Sequence, residues 1–94
     1  MAHKQTFAEF ESAARAAGFD EVLVREWAPR TVLHDHAHAF GVHALVVQGE
    51  MWLDCGDGPK HLVPGDTFDL EPDTPHTERY GEAGATYWVA RRNP

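Results

Sequence analysis

The chain has 94 residues, of which 43% are hydrophobic and 24% are charged, and its formal net charge is −7. We expect one domain, 1–94, with a thin stability margin, because a domain this small buries only about two-thirds of the surface of its unfolded chain. The negative charge argues against binding to nucleic acid or to an anionic membrane, since both need a basic surface. A single cysteine, Cys55, excludes an internal disulfide and suits a reducing compartment. No apolar run reaches the roughly 18 residues that cross a bilayer, so we expect a soluble cytoplasmic protein.

The first regular pattern along the chain predicts a helix at about 6–17. Thr6 and Glu9 have the spacing of a capping box, in which each side chain binds the other residue's backbone N–H. Apolar residues then follow at helical spacing: Phe7, Phe10, Ala14 and Ala17. Gly18 stands where a C-terminal cap is expected. We expect the apolar stripe of this helix to pack on the outside of the β-structure that follows.

After Gly18 the sequence changes to short β-prone runs separated by turn residues. The eight runs are 22–24, 31–33, 42–47, 51–53, 61–63, 67–70, 77–80 and 86–90. The turn signals between them include Gly49-Glu50, Asp57-Gly58, Pro64-Gly65-Asp66 and 81–84. Eight short strands at this spacing indicate an all-β sandwich or a closed barrel over about 20–92.

Four of the seven histidines share one ten-residue window: His34, His36, His38 and His43. Residues two apart in a strand face the same side, so the first three line one side if the strand is regular. Neutral imidazole is a common ligand of transition metals. The window fits either a metal site or a set of solvated polar residues around a turn, and we favour the metal site.

The spacing of these histidines resembles the first motif of the cupin superfamily, which places an H-x-H pair before a glutamate and a closing glycine. His36-Ala37-His38 matches the pair and Gly49 matches the closing glycine. The second motif is matched by Gly65 and by His76. The resemblance covers about 22–92 and is to small single-domain cupins of the cupin-2 or AraC-type ligand-binding kind. It implies a cupin-type double-stranded β-helix, that is, a jelly-roll barrel, here with one N-terminal α-helix.

The same resemblance implies a divalent transition metal inside the barrel. The usual ligands in the family are both histidines of the first motif, its glutamate and the histidine of the second, and the histidines carry over to His36, His38 and His76. The glutamate does not carry over, because Val42 occupies its position. Other landmarks of the two motifs are replaced by Arg30, Glu71, Asp73 and Tyr80. Fe, Mn, Ni, Zn and Cu all suit histidine ligands, so the metal stays open.

The fourth ligand is also open, and two more histidines are candidates. The register that keeps six residues before Gly49 places Val42 inside the barrel and His43 outside. A β-bulge near Phe40-Gly41 would reverse this and turn His43 inward. His34 has the strand parity of the histidine pair but lies nearer the barrel mouth.

Glu78 and Tyr80 follow His76 with the same strand parity and are candidate catalytic residues. If Glu78 points into the barrel, it can serve as a general base or as a replacement ligand. The alternative is a residue at the barrel mouth or surface that forms an ion pair across the sheet.

Three function classes are compatible with these residues. A three-histidine site leaves coordination positions open, which favours a metal-dependent enzyme acting on a small polar metabolite. A non-catalytic barrel that binds or senses a small ligand is the second class, and a barrel with a vestigial metal site is the third. We also expect a homodimer, because cupin barrels commonly pair through their sheets and edge strands need covering.

Overall fold

The computed structural model describes residues 4–94, which form one helix and six strands. The elements in chain order are α1 (Phe7–Ala16), β1 (Glu21–Trp27), β2 (Val32–His36), β3 (Gly41–Asp54), β4 (Pro59–Leu62), β5 (Thr67–Leu70) and β6 (His76–Arg92). Within 4–94 no helix is both long enough and apolar enough to cross a membrane.

The predicted capping box starts helix α1. The Glu9 N–H donates to the Thr6 hydroxyl at 3.1 Å, and the Thr6 N–H donates to the Glu9 carboxylate at 2.9 Å. The helix ends at Ala16 with Ala17 as its cap, and Gly18 follows with φ of +96°. The helix prediction is therefore confirmed to within a residue at each end.

All eight predicted strand segments are present, but two pairs of them are continuous. Strand β3 joins 42–47 to 51–53, and strand β6 joins 77–80 to 86–90. Gly49-Glu50 and 81–84 were expected as turns and instead lie inside these long strands. Each long strand bends between two sheets, and the pairing of β3 with β6 shifts register on both sides of Gln48.

The strand pairing produces two four-stranded antiparallel sheets that share the long strands. In the helix-side sheet the order is β1, the second half of β6, the first half of β3, and β5. In the open sheet the order is β2, the first half of β6, the second half of β3, and β4. This 4 + 4 arrangement is the jelly-roll barrel that the strand count and the two motifs predict.

Two glycines allow the long strands to approach their neighbours closely at the bend. Gly49 has φ of +75°, and a Cβ there would lie 2.1 Å from the Gly84 carbonyl oxygen. Gly84 has φ of +72°, and a Cβ there would lie 2.2 Å from the Trp27 carbonyl oxygen. Both positions need glycine for backbone conformation and for space.

The inner faces of the two sheets form the main core, and helix α1 lies outside it. The core residues are Val42, Ala44, Val46, Met51, Leu53, Leu62, Phe68, Leu70, Tyr80, Ala85, Tyr87 and Val89. Phe10 and Ala14 of the helix form a separate cluster with Ala90 on the outer face of the helix-side sheet. The apolar stripe therefore packs outside the barrel, as predicted.

Candidate metal centre

His36 and His76 are direct partners on neighbouring strands. His36 is the last residue of β2, His76 is the first of β6, and their ring centroids are 4.2 Å apart. The register of β2 against β6 shifts between Leu33 and His36. One extra residue reverses the side that a strand presents, so Leu33 and His36 both face inward while His34 is exposed.

His38 lies in the loop after β2, with its ring centroid 5.0 Å from those of both His36 and His76. The Asp73 N–H donates to the His38 carbonyl at 2.6 Å, and Asp73 adopts φ of +62° in the turn that precedes β6. This turn ties the loop carrying His38 to the strand carrying His76. Burial, followed by the nearby His76 and His36 rings, lowers the pKa of His38, which keeps it neutral and able to bind a metal.

These three residues form the histidine triad, in which one ligand nitrogen of each ring lies within 4.8 Å of the others. Two nitrogens on one ion lie at most about 4.2 Å apart when each bond is about 2.1 Å. Small side-chain adjustments are therefore enough for one ion to contact all three. The structure brings the triad together in a group that can hold a metal ion.

Backbone carbonyls orient two of the rings. The Nδ1 of His36 lies 2.8 Å from the His34 carbonyl, and the Nδ1 of His76 lies 2.9 Å from the Thr74 carbonyl. A carbonyl only accepts, so each Nδ1 carries a proton, and in the neutral form of each ring the Nε2 presents the lone pair. Such a backbone contact commonly fixes the tautomer of metal-binding histidines.

Glu78 lies beside these two lone pairs, at the centre of the site. Its Oε2 is 3.1 Å from the His36 Nε2 and 3.5 Å from the His76 Nε2. Glu78 is 5% exposed and His76 is 1% exposed, and the His76 Nε2 is buried without a hydrogen-bond partner. A carboxylate that faces two ring nitrogens is stabilised when a cation lies between them, either a proton on the imidazole or a metal ion. The donor set therefore fits a metal ion.

Tyr80 holds the other carboxylate oxygen of Glu78. Its hydroxyl donates to the Glu78 Oε1, and the ring is 2% exposed. Burial, and then Tyr87 and Glu78, raise the pKa of Tyr80, so the phenol keeps its proton. Tyr80 thus positions Glu78. Glu78 is buried in the barrel, so it does not form the ion pair at the barrel mouth or surface that was its alternative role.

The two further candidate ligands, His34 and His43, are not brought to the triad. The ring of His34 is exposed, and this residue contributes only its carbonyl, which orients His36. His43 lies on the outer face of the helix-side sheet, where its ring stacks on Phe10 at 5.9 Å and its Nδ1 contacts Asp69 at 2.7 Å. The regular register near Gly41 is retained, so no bulge turns His43 inward.

The triad and Glu78 line a cavity of about 230 Å³ between the two sheets. Its other lining residues include Arg25 and Arg91, which are not among the site residues predicted from the sequence. A signal for them exists in the strand parity. Arg25 lies two residues after the core-facing Leu23, and Arg91 lies two residues after the buried Val89. Charged residues at inward positions of a barrel strand point to a site.

Solved structures of low sequence identity share this fold. The DMSP lyase DddQ from Ruegeria pomeroyi DSS-3 is 22% identical with a TM-score of 0.70, over 77% of this chain and 37% of that one. KdgF from a Halomonas species is 19% identical with a TM-score of 0.65, over 78% and 69%. A cupin superfamily protein from Desulfitobacterium hafniense DCB-2 is 16% identical with a TM-score of 0.66, over 81% of each chain. The chain thus spans little more than a third of the length of DddQ.

The family comparison covers nearly all of the barrel. A search of curated proteins by sequence finds no match. Residues 18–92 match the family described as the AraC-like ligand binding domain. The structural relatives confirm the cupin double-stranded β-helix that the two motifs predict. The chain therefore belongs to the AraC-like ligand binding domain family, as a small cupin.

Proposed function

We propose that this cupin is a metal-dependent enzyme that acts on a small polar metabolite. In this proposal the histidine triad holds one divalent transition metal ion, and Glu78 replaces the glutamate that the first motif lacks. A metal ion bound there supplies a Lewis acid that polarises a substrate oxygen. Tyr80 keeps Glu78 oriented, and the backbone carbonyls keep two of the triad rings oriented.

The observation that carries the proposal is the contact between Glu78 and the Nε2 atoms of His36 and His76. These two nitrogens lie 3.1 and 3.5 Å from one carboxylate oxygen. Burying such a group without a cation is costly, because a low-dielectric interior strengthens the repulsion. A divalent cation neutralises the carboxylate and uses the lone pairs of both rings.

Metal content tests the proposal directly. Untagged protein supplemented separately with Fe, Mn, Ni, Zn or Cu is expected to retain about one ion per chain of the preferred metal. His76→Ala is expected to lose that ion, whereas His61→Ala is expected to retain it, because His61 stacks on Trp52 at the outer face of the open sheet. Well under one ion per chain with every metal, or an unchanged content in His76→Ala, would refute the site.

A non-catalytic ligand-binding barrel is the second candidate function. It is favoured by the family match, whose description is a ligand-binding domain. A turnover screen of metal-loaded protein on small hydroxy, keto and phenolic acids separates the two candidates. Substrate conversion that is lost in His76→Ala supports the enzyme. Saturable binding of an acid without conversion supports the ligand-binding barrel. Stoichiometric metal with neither conversion nor ligand binding supports the vestigial site.

We further propose that the helix and barrel form one folding unit and that the chain works as a cytoplasmic homodimer. The outer face of the open sheet supports pairing, because Val32 there is 50% exposed and Trp52 lies in the same ladder of side chains. The exposed thiol of Cys55 suits a reducing compartment. Sedimentation at micromolar concentration is expected to give a dimer, and a single species near 10.5 kDa would refute the pairing.

A further inference from the structure

The cavity that contains the proposed metal centre also receives two arginine side chains. Its volume of about 230 Å³ corresponds to about eight water molecules at about 30 Å³ each. The cavity is therefore sized for a small molecule of roughly eight to ten non-hydrogen atoms. Arg25 and Arg91 line it together with the triad and Glu78.

The two arginines enter the cavity from neighbouring strands of the helix-side sheet. Arg25 on β1 lies opposite the buried Tyr87 on β6, and Arg91 lies four residues further along β6. Both arginines are half-buried, and each stacks on an aromatic ring that also lines the cavity. The guanidinium of Arg25 lies 4.7 Å from the ring centroid of Trp27, and that of Arg91 lies 4.8 Å from that of Phe40.

Neither guanidinium has an anionic partner among residues 4–94. The salt bridges of this part of the chain include neither Arg25 nor Arg91. The Nε of Arg91 is buried and donates no hydrogen bond. By contrast, Arg15 pairs with Glu11 at 3.1 Å on the exposed helix surface. Two arginines that are half-buried and lack a counter-charge lie beside the proposed metal centre.

The cavity is consequently positive although the whole chain is negative. Two guanidinium groups face a single carboxylate, that of Glu78, while the chain as a whole carries −7. A divalent ion would add two further positive charges. An anionic ligand neutralises this excess, whereas an uncharged ligand leaves both guanidinium groups partly desolvated and unpaired.

We propose that the ligand of this cavity is a small organic acid whose carboxylate is recognised by Arg25 and Arg91. The planar guanidinium fork matches the two oxygens of a carboxylate, and the aromatic rings beneath the arginines restrict their motion. This inference deepens the proposed function and rests on it, because the acid lies next to the metal that the triad holds. It assigns the substrate class and gives both arginines a role in specificity.

The experiment compares acids with their uncharged amides. Binding of lactate, succinate and benzoate is measured against lactamide, succinamide and benzamide by NMR titration of the zinc-loaded protein, with the indole N–H of Trp27 and the Nε–H of Arg91 as reporters. At least one acid is expected to bind about tenfold or more tightly than its amide, because charge-assisted hydrogen bonds are lost in the amide.

Variants then locate the recognition. Arg25→Gln and Arg91→Gln are each expected to weaken binding of the preferred acid about tenfold and to leave the zinc content unchanged. Arg79→Gln is the matched control, because Arg79 stacks on Trp52 at 4.2 Å on the outer face of the open sheet. It is expected to bind the acid like the unmodified protein.

The proposal is overturned if no acid binds with a Kd below about 10 mM, or if the Kd values of each acid and its amide agree within twofold. It is also overturned if Arg79→Gln weakens binding of the acid as much as Arg91→Gln does. The acid–amide comparison needs no variant, so it decides even if an arginine variant misfolds. Zinc content separates this failure from that of the proposed function. Stoichiometric zinc without acid preference refutes only the arginine assignment. Well under one ion per chain with each of Fe, Mn, Ni, Zn and Cu refutes the metal site, and acid binding is then measured on the metal-free protein.

Discussion

Replacing Glu78 by glutamine distinguishes two roles of this residue: a carboxylate that binds a metal ion, and a carboxylate that only pairs with a protonated histidine. The glutamine keeps the size of the side chain and can still accept from the Tyr80 hydroxyl. Its amide NH₂ replaces the Oε2 that lies 3.1 Å from the His36 Nε2. When the His36 ring is neutral, a contact between two acceptors in the metal-free protein thereby becomes a hydrogen bond, while the charge that attracts a cation is lost.

The two effects have opposite signs. At pH 8, where imidazole is ordinarily neutral, one new hydrogen bond contributes about 1 kcal/mol. For a domain of this size that raises the Tm of metal-free Glu78→Gln by about 4–8 °C. Zinc at 100 times its Kd stabilises the unmodified protein by about 2.7 kcal/mol, or about 11–22 °C. If Glu78→Gln weakens zinc about 100-fold, the same zinc concentration gives about 0.4 kcal/mol, or about 2–3 °C.

The assay is thermal unfolding followed by circular dichroism, with EDTA and with a series of zinc concentrations. Glu50→Gln is the matched control, because Glu50 contacts the His61 Nε2 at 2.8 Å but both side chains are more than 40% exposed. It is expected to change the stability of either form by less than about 1 kcal/mol. A lowered Tm of metal-free Glu78→Gln, together with an unchanged zinc response, would refute the reasoning and identify Glu78 as the partner of a protonated histidine.

Three further predictions concern the scaffold. Gly49→Ala is expected to lower the free energy of unfolding by at least about 2 kcal/mol in urea titrations, because its Cβ would meet the Gly84 carbonyl at a positive φ. Thr6→Ala is expected to cost about 1 kcal/mol in the same titrations, since it removes the helix cap. Burial, followed by Asp57, raises the pKa of the Cys55 thiol. Asp57→Asn is therefore expected to speed alkylation of Cys55 by iodoacetamide at pH 8 roughly twofold.

Each of these has a result that contradicts it. A Gly49→Ala protein as stable as the original would mean that the bend does not need the close backbone approach. A Thr6→Ala protein of unchanged stability would mean that helix α1 adds nothing to the cooperative unit. An equal alkylation rate in Asp57→Asn would mean that this carboxylate does not act on the thiol, and Asp54→Asn then tests the other acidic neighbour.

Local features of the sequence were sufficient for the elements and for the three histidines. The capping box, the turn residues and the β-prone runs act over a few neighbouring residues, so their positions could be read directly. His36, His38 and His76 follow from two motifs with defined spacing. Their meeting in space is implied by the resemblance, and the structure brings their ligand nitrogens within 4.8 Å.

The remaining features depend on how distant segments pair. Whether Gly49 makes a turn or a bend depends on the partner strand, and only the pairing of β3 with β6 decides it. The bulge before His36 reverses the side that the strand presents, so His36 faces the barrel interior while His34 is exposed. The parity of Glu78 was readable, but its burial against two histidine nitrogens exists only after the barrel closes. Strand parity groups Arg25 with Leu23 and Arg91 with Val89, but only the closed barrel decides that this face of each strand turns inward.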